Sequence, residues 1–432
     1  MSTYLPWIAF ATTLVVFAFL QHLRKKRVNF GLRTIIAMGF GLVIGFVFQG
    51  NTQYVTPFGT IFTQLIYAIV APLLFFSIIS SIASLNSITR LKTLGFRSVF
   101  WLLLNTLIAS TITLIVATSL KLGSGFTISL PTDYVAREVP TFIDTIVGFF
   151  PSNLVNHVAK NQIIPIIIFS VMVGVALVKF NTKDPEGASP MIQFFESANK
   201  LTYRVVKSII ALTPFAVVAY IANVPTRDGG KDLASFAMII VIAYAISFFQ
   251  AFVVHGTLIS VFAKMNPIRF FKAIWPAQVV AFTSQSSIGT VPVVIEQVTT
   301  KLGVKDDIAG FVAGLGANVG MPACTGMWPV LLAVFSINAL GIPFTTQQYL
   351  LLIVYTVVVG LGTAGVPGTA TIAATAVLTA AGLPIEIIFV LSPISAIVDM
   401  ARTMANVTGS ATATVIVATR EGAIEEPVQA AS

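Results

Sequence analysis

The chain has 432 residues, of which 56% are hydrophobic and only 9% charged, with a mean hydropathy of +0.92 and a formal net charge of +9. Soluble domains carry about a quarter charged residues, so this composition argues against a water-soluble enzyme or binding module. The single Cys324 leaves no internal disulfide framework and no multi-cysteine metal site, and His22, His157 and His255 stand far apart without ligand spacing, so neither metal nor cofactor is expected.

In chain order, the first apolar stretch runs from Tyr4 to Leu20 and is followed by Arg24-Lys25-Lys26-Arg27. Positive charge after the apolar run is the wrong polarity for a cleaved signal and the right one for a membrane helix with its N-terminus outside. Further runs follow at Ile35 to Phe48, Leu65 to Leu85, Phe100 to Leu120, Ile163 to Val178 and Met238 to Phe262. Most approach or exceed the roughly 18 to 20 residues that cross a bilayer core, which predicts an all-α polytopic membrane protein of the cell (plasma) membrane. Walking the spans alternately places nineteen of the 25 lysines and arginines inside and five outside, leaving Arg402 within a span. The asymmetry predicts a cytoplasmic C-terminus, and it explains the basic excess without nucleic acid.

That topology requires two apolar segments to enter and leave on the same side, at 274–300 and 347–380. Their centres, Ser284-Gln285-Ser286-Ser287-Ile288-Gly289-Thr290 and Gly362-Thr363-Ala364-Gly365-Val366-Pro367-Gly368-Thr369, are small, polar and glycine-rich, and they read as tips of re-entrant hairpins. Two hairpins entering from opposite faces mark an inverted repeat with a midplane site. Ordinary spans kinked at glycine are the competing reading. Between the hairpins, the span 308–336 is interrupted at Gly316-Ala317-Asn318-Val319-Gly320-Met321-Pro322-Ala323-Cys324-Thr325-Gly326. Pro322 removes an amide donor and frees carbonyls that can line a polar cavity or hold a small cation, although a simple kink fits the same residues.

The final helix, expected over 387–419, carries Asp399 and Arg402. A charge at the bilayer centre costs on the order of 2.5–3.5 kcal/mol even on the lenient insertion scale, so two on one helix need partners or a function. Their spacing of three puts them on one face with Thr403 and Asn406. A carboxylate for an ammonium and a guanidinium for a carboxylate match an amino acid zwitterion, and a self-satisfied ion pair that glues helices is the alternative.

At this point Ser286-Ser287-Ile288-Gly289-Thr290-Val291-Pro292, Gly362-Thr363-Ala364-Gly365-Val366-Pro367-Gly368 and Asp399-Met400-Ala401-Arg402-Thr403-Met404-Ala405-Asn406-Val407-Thr408-Gly409 carry a resemblance. In order and spacing they resemble the hairpin-one, hairpin-two and final-helix motifs of the dicarboxylate/amino acid:cation symporter family, the glutamate and aspartate transporters. The similarity extends from about Val28 to Arg420. It implies the glutamate-transporter-like inverted-repeat fold, a homotrimer and an elevator mechanism. The corresponding division is an extra N-terminal helix with its basic cluster (1–27), scaffold helices (28–92 and 123–232, the latter with an extracellular loop), transport-domain elements (93–122 and 233–420) and a cytoplasmic tail (421–432).

The resemblance further implies that Ser286 and Ser287 serve the substrate carboxylate, Asp399 the amino group, Arg402 a distal carboxylate, and Thr403 and Asn406 the remaining polar atoms, with Gly365 and Val366 as the outer gate. Departures from the pattern are specific. Gly320-Met321-Pro322 stands where sodium-coupled members read asparagine-methionine-aspartate, Ser410 where they have a second aspartate, and Leu102 where they have a tyrosine ligand. Missing carboxylates weaken cation binding in a low-dielectric site, so two of the family's three sodium sites are not expected. A carbonyl-lined site near Asn318, Met321, Gly360, Leu361 and Thr363 stays open. A proton can replace the lost ions, with Asp399 the one carboxylate in the motifs. The pattern most resembles the bacterial L-cystine uptake branch, while an acidic amino acid or C4-dicarboxylate symporter remains the alternative, because Arg402 serves either distal carboxylate. Gln285 stands where many prokaryotic members carry an arginine, and Cys324 reads as a packing residue.

Other function classes fit less well. A channel needs a continuous polar pore rather than a buried charged pair. An intramembrane hydrolase needs a base near Ser286 or Ser287, and no His or Lys motif or HExxH supplies one, so no enzyme is expected. A primary pump lacks the GxxxxGK[ST] nucleotide loop. The expected partners are therefore a small amino acid substrate, a coupling ion, lipid and further copies of the chain.

Overall fold

The computed structural model describes residues 4–28, 30–83, 94–126, 147–160, 162–222, 231–362 and 368–425, with only backbone described at a few positions within them. The second hairpin tip, including Thr363, Gly365 and Val366, and the tail beyond 425 lie outside the described residues. The described chain is helical, apart from one isolated antiparallel bridge between Val304 and Ile424.

A first group of helices comprises α1 (Leu5–Lys25), α2 (Phe30–Val47), α3 (Thr56–Ala83), the short α5 (Leu154–Ala159), α6 (Ile163–Lys183), α7 (Pro185–Ile210) and α8 (Thr213–Ala222). Between them in sequence comes α4 (Phe96–Ser119), which packs elsewhere. Apolar side chains dominate these helices, and small residues let them approach. A Cβ on Gly41 would stand 2.9 Å from Ile221 Cβ, and one on Gly45 would stand 3.0 Å from the Ala222 carbonyl oxygen, which brings α2 against α8. Asp184 starts α7 by accepting from the Gly187 amide at 2.9 Å. Helices α7 and α8 are apolar enough to cross as one span bent by 40°.

The second group is built around the last helix. It contains α9 (Lys231–Phe248), a π-helical turn (Phe249–Val254), α10 (His255–Phe262), α11 (Pro267–Ser284), α12 (Ser287–Leu302), α13 (Asp306–Gly316), a second π-helical turn (Pro322–Met327), α14 (Trp328–Leu340), α15 (Thr346–Val359), α16 (Thr369–Ala380), α17 (Glu386–Val390) and α18 (Ser392–Arg420). Among the described residues, six helices are long and apolar enough to cross a membrane, or seven with the bent pair.

Two boundaries differ from the sequence expectation. Helix α11, in the segment expected from sequence to start at 274, begins at Pro267, because Asn266 caps it by accepting from the Ile268 amide at 2.8 Å and Pro267 fits the first helical position. The last apolar run is broken at Leu391 into α17 and α18, with Pro393 at the start of the longer helix.

Helices α11 and α12 lie against each other and against α18, and α4 packs along the second π-turn, α14 and α15. A cavity of about 430 Å³, lined by Ile78, Phe96, Val171, Leu315, Val319 and Leu361 among others, lies between α3 and α6 on one side and α4 and α13 on the other. At the end of α18, Arg420 lies over the rings of Trp101 and Phe262 at 5.2 and 5.9 Å, and Arg97 pairs with Glu421. The following residues are stitched to the α12–α13 loop. The Lys305 amide donates to the Ala423 carbonyl at 3.1 Å, and the Glu425 amide donates to Gly303 at 2.8 Å. Gly303 has φ +75°, and a Cβ there would fall 1.9 Å from the Glu425 carbonyl oxygen.

Candidate functional site

The centre of α18 is the most polar buried stretch of the chain. Asp399, Arg402, Thr403 and Asn406 are all buried, Arg402 to 1% exposure. Arg402 Nη2 donates to the Ser395 carbonyl at 2.7 Å, to Ser395 Oγ at 2.9 Å and to Asp399 Oδ1 at 3.0 Å. Its guanidinium also lies over the indole of Trp328, with 4.5 Å between Cζ and the ring centroid. Among the described residues, Nε and Nη1 nevertheless have no hydrogen-bond partner, nor does the buried Trp328 Nε1.

These contacts bear on the two readings of the charged pair. Asp399 and Arg402 do pair, as an i,i+3 geometry allows. One carboxylate oxygen and one serine leave the N–H groups on Nε and Nη1 unmet, however, and each buried unmet donor costs about 1–3 kcal/mol, more when charged. The pair is therefore incomplete without another acceptor, and the two missing bonds are of the kind a carboxylate accepts from a guanidinium.

Asn406 is differently engaged. Its Oδ1 accepts from the amides of Ala323 at 2.9 Å and Cys324 at 3.4 Å, and its Nδ2 donates to Cys324 Sγ at 3.0 Å. Sequence reasoning assigns Asn406 to substrate atoms; in this conformation its carboxamide instead caps the start of the π-turn, supplying acceptors where the helix has broken. Cys324 is buried and receives that bond, so it has a polar neighbour besides its packing role.

The chain breaks after α13 and after α15 meet. The Gly320 amide donates to the Gly360 carbonyl at 2.7 Å. Gly320 has φ +61°, and a Cβ there would approach the Leu102 carbonyl carbon and oxygen to 2.4 Å, so backbone passes directly over backbone. Of the carbonyl set expected from sequence, Met321 accepts from the Thr325 amide at 2.9 Å and from its hydroxyl at 2.8 Å, while Gly360 accepts from Gly320. Asn318 Nδ2 donates to Gly314 at 3.3 Å, and Leu361 lines the apolar cavity. Ser410 Oγ donates to the Ala313 carbonyl at 3.3 Å and fills the space beside Gly316, whose Cβ would come within 2.4 Å of it.

At the first hairpin tip, Gln285 takes a left-handed conformation (φ 55°) and Ser286 caps α12, its Oγ accepting from the Gly289 amide at 3.1 Å. Ser287, in the first turn of α12, is buried. Among the described residues no hydrogen bond joins Ser286 or Ser287 to Asp399 or Arg402. The sequence reading missed Ser395 and Trp328. Ser395 lies seven residues before Arg402, two helical turns away on the same face, and that spacing could have singled it out. Trp328 sits in an apolar run, and nothing in the local sequence ties it to Arg402.

A buried, unsaturated charged pair beside two broken membrane helices defines a polytopic transporter rather than an enzyme. The model of the Sodium:dicarboxylate symporter family matches residues 30–420, and the chain belongs to that family. It is 32% identical over 417 residues to a protein of Haemophilus influenzae named an uncharacterized symporter, covering 90% of this chain and 94% of that protein. It is 31% identical to the L-cystine uptake protein TcyP of Bacillus thuringiensis strain Al Hakam, covering 96% of this chain and 95% of TcyP. The TcyP of Shouchella clausii is 30% identical over 99% of this chain and 97% of its own length. The family match begins at residue 30, so α1 precedes it.

Proposed function

We propose that the chain is a secondary symporter that takes up an amino acid, L-cystine above others, coupled to protons. The observation that carries the reading is the pair at the centre of α18: a buried carboxylate and a buried guanidinium with two unmet donor groups. The substrate ammonium goes to Asp399, its carboxylate to Ser287 with Ser286 beside it, a distal carboxylate to Arg402, and the remaining polar atoms to Thr403 and Asn406, with Gly365 and Val366 closing the outer side. The names of the TcyP relatives support cystine, whose two zwitterionic ends supply a distal carboxylate for Arg402. An acidic amino acid or C4-dicarboxylate satisfies Arg402 equally and is the second reading.

Proton coupling rests on Pro322, Ser410 and Leu102 standing where sodium-coupled relatives have ligands, with Asp399 the protonatable carboxylate of the site. One sodium site built of carbonyls near Asn318, Met321, Gly360, Leu361 and Thr363 is compatible with it. The same reading takes α11–α12 and α15–α16 as re-entrant hairpins and divides the helices into a scaffold (28–92 and 123–232) and a moving domain (93–122 and 233–420). It assembles three copies into an elevator in the plasma membrane, with the N-terminus outside and the C-terminus in the cytoplasm.

The test is uptake of labelled cystine, aspartate and glutamate by proteoliposomes under separately imposed sodium and proton gradients. Cystine accumulation driven by the proton gradient is expected, and Arg402→Ala should reduce it at least a hundredfold, consistent with losing a charge-assisted contact of about 3 kcal/mol. Uptake that requires sodium and ignores the pH gradient would remove the coupling, and preference for aspartate would remove the substrate.

A further inference from the structure

A second buried polar cluster lies further along α18, around Thr408 and Gly409. His255, the first residue of α10, is fully buried there, and neither ring nitrogen has a hydrogen-bond partner. A Cβ on Gly409 would sit 3.2 Å from both Cε1 and Nε2 of His255 and 3.3 Å from Pro322 Cγ, so the ring lies directly on the α18 backbone beside the second π-turn. The Ala405 backbone lies next to the ring and is its nearest polar neighbour on α18.

The groups around the same turn of α18 are neutral and face it with acceptors to spare. Asn105 on α4 donates through Nδ2 to the Gly409 carbonyl at 3.3 Å, and Gln250 Nε2 donates to the Asn105 carbonyl at 3.4 Å. Gln278 on α11 donates through Nε2 to Thr408 Oγ1 at 2.9 Å. The carboxamide oxygens of all three are buried without a donor. Buried acceptors left unpaired are uncommon and each calls for an explanation.

The chain bulges here to make this possible. The π-turn Phe249–Val254 ends with the His255 amide donating to the Gln250 carbonyl, the i→i+5 link that inserts one extra residue into the helix and sets Gln250 and His255 one wide turn apart. Such insertions cost helical regularity and concentrate at functional sites. The charged residues on the elements packed against His255 are Arg269 and Lys272 on α11 and Asp399, Arg402 and Arg420 on α18; none makes an ion pair or hydrogen bond with the ring.

We propose that His255, buried against the turn of α18 that Asn105 and Gln278 also bond, is a second protonation site that loads one proton for co-transport. A metal cation bound there would have no anionic ligand, whereas a proton brings its own carrier: a neutral imidazole takes it up on the ring nitrogen that carries none. Asp399 is engaged by Arg402, so the two protonatable groups sit in separate surroundings on one helix, Asp399 at the charged pair and His255 against Gly409. The inference rests on the proton-coupled reading given above.

The test uses proteoliposomes of the full chain with the membrane potential clamped and one pH unit imposed, outside acidic. Each coupled proton raises the limiting inside-to-outside ratio of labelled cystine about tenfold per pH unit. His255→Gln, which replaces the ring with a group that cannot change protonation, should lower that ratio about tenfold while cystine counterflow without a gradient persists. A His255→Gln carrier with the wild-type ratio overturns the assignment. Should His255→Gln lose counterflow as well, Gln250→Leu decides: the midpoint of the pH dependence of uptake must move to lower pH, since a charged ring loses a polar neighbour one π-turn away, and an unmoved midpoint overturns the proposal. A wild type indifferent to the pH gradient would instead remove the coupling reading itself.

Discussion

Arg402 is held by three different kinds of contact, and each fixes a different freedom. Ser395 sets the position of Nη2, Asp399 compensates the charge, and Trp328 supplies a flat wall that keeps the guanidinium plane from turning. A desolvated cation–π contact is worth about 2 kcal/mol. Trp328→Leu is therefore expected to raise KM for the native substrate about tenfold or more with a smaller change in kcat, since the indole positions the arginine without touching the reacting path; steady-state uptake kinetics check this. Asp399 and Arg402 were legible from sequence because charge is so costly in an apolar helix. Trp328 was not, because an aromatic in an apolar run is the ordinary content of a membrane span.

At the scale of elements, the interrupted span α13–α14 is held by its neighbours rather than by its own ladder. Asn406 supplies the acceptor that the broken helix lacks, and Gly320 hands its amide to Gly360. The glycine is obligatory on two counts: a left-handed φ, costing about 1–2 kcal/mol for other residues, and an approach to Leu102 that no Cβ survives. Gly320→Ala should lower the melting temperature in detergent by several degrees and abolish uptake, with the loss visible in a thermal unfolding series before any assay of transport. Sequence located the break, since Pro322 and the surrounding small residues announce it. What the break pairs with was not legible, because the Gly320–Gly360 bond joins positions forty residues apart through backbone atoms that carry no residue-type signal.

For the molecule as a whole, the apolar periods and basic borders were enough to predict a polytopic helical protein, and the three motifs placed it in its family. A division into scaffold and moving domain was suggested only by resemblance, because burial in a membrane protein does not segregate apolar from polar residues as it does in water. The small glycines at 41 and 45 show why α2 and α8 belong together, yet glycines recur throughout the chain, and only coordinates tell which of them admit a neighbouring backbone.

The stitching of Ala423 and Glu425 to the loop at Gly303–Lys305 gives the chain's final stretch a mechanical duty. It is a clasp: it fastens the close of α18 to the junction between α12 and α13, so a displacement of one would drag the others with it. Deleting the chain from Glu421 onward should therefore loosen that junction, read as faster amide exchange at Gly303–Lys305 and a lower melting temperature, with KM for substrate unaltered. Reporter fusions belong beyond Ser432, where they leave the clasp fastened.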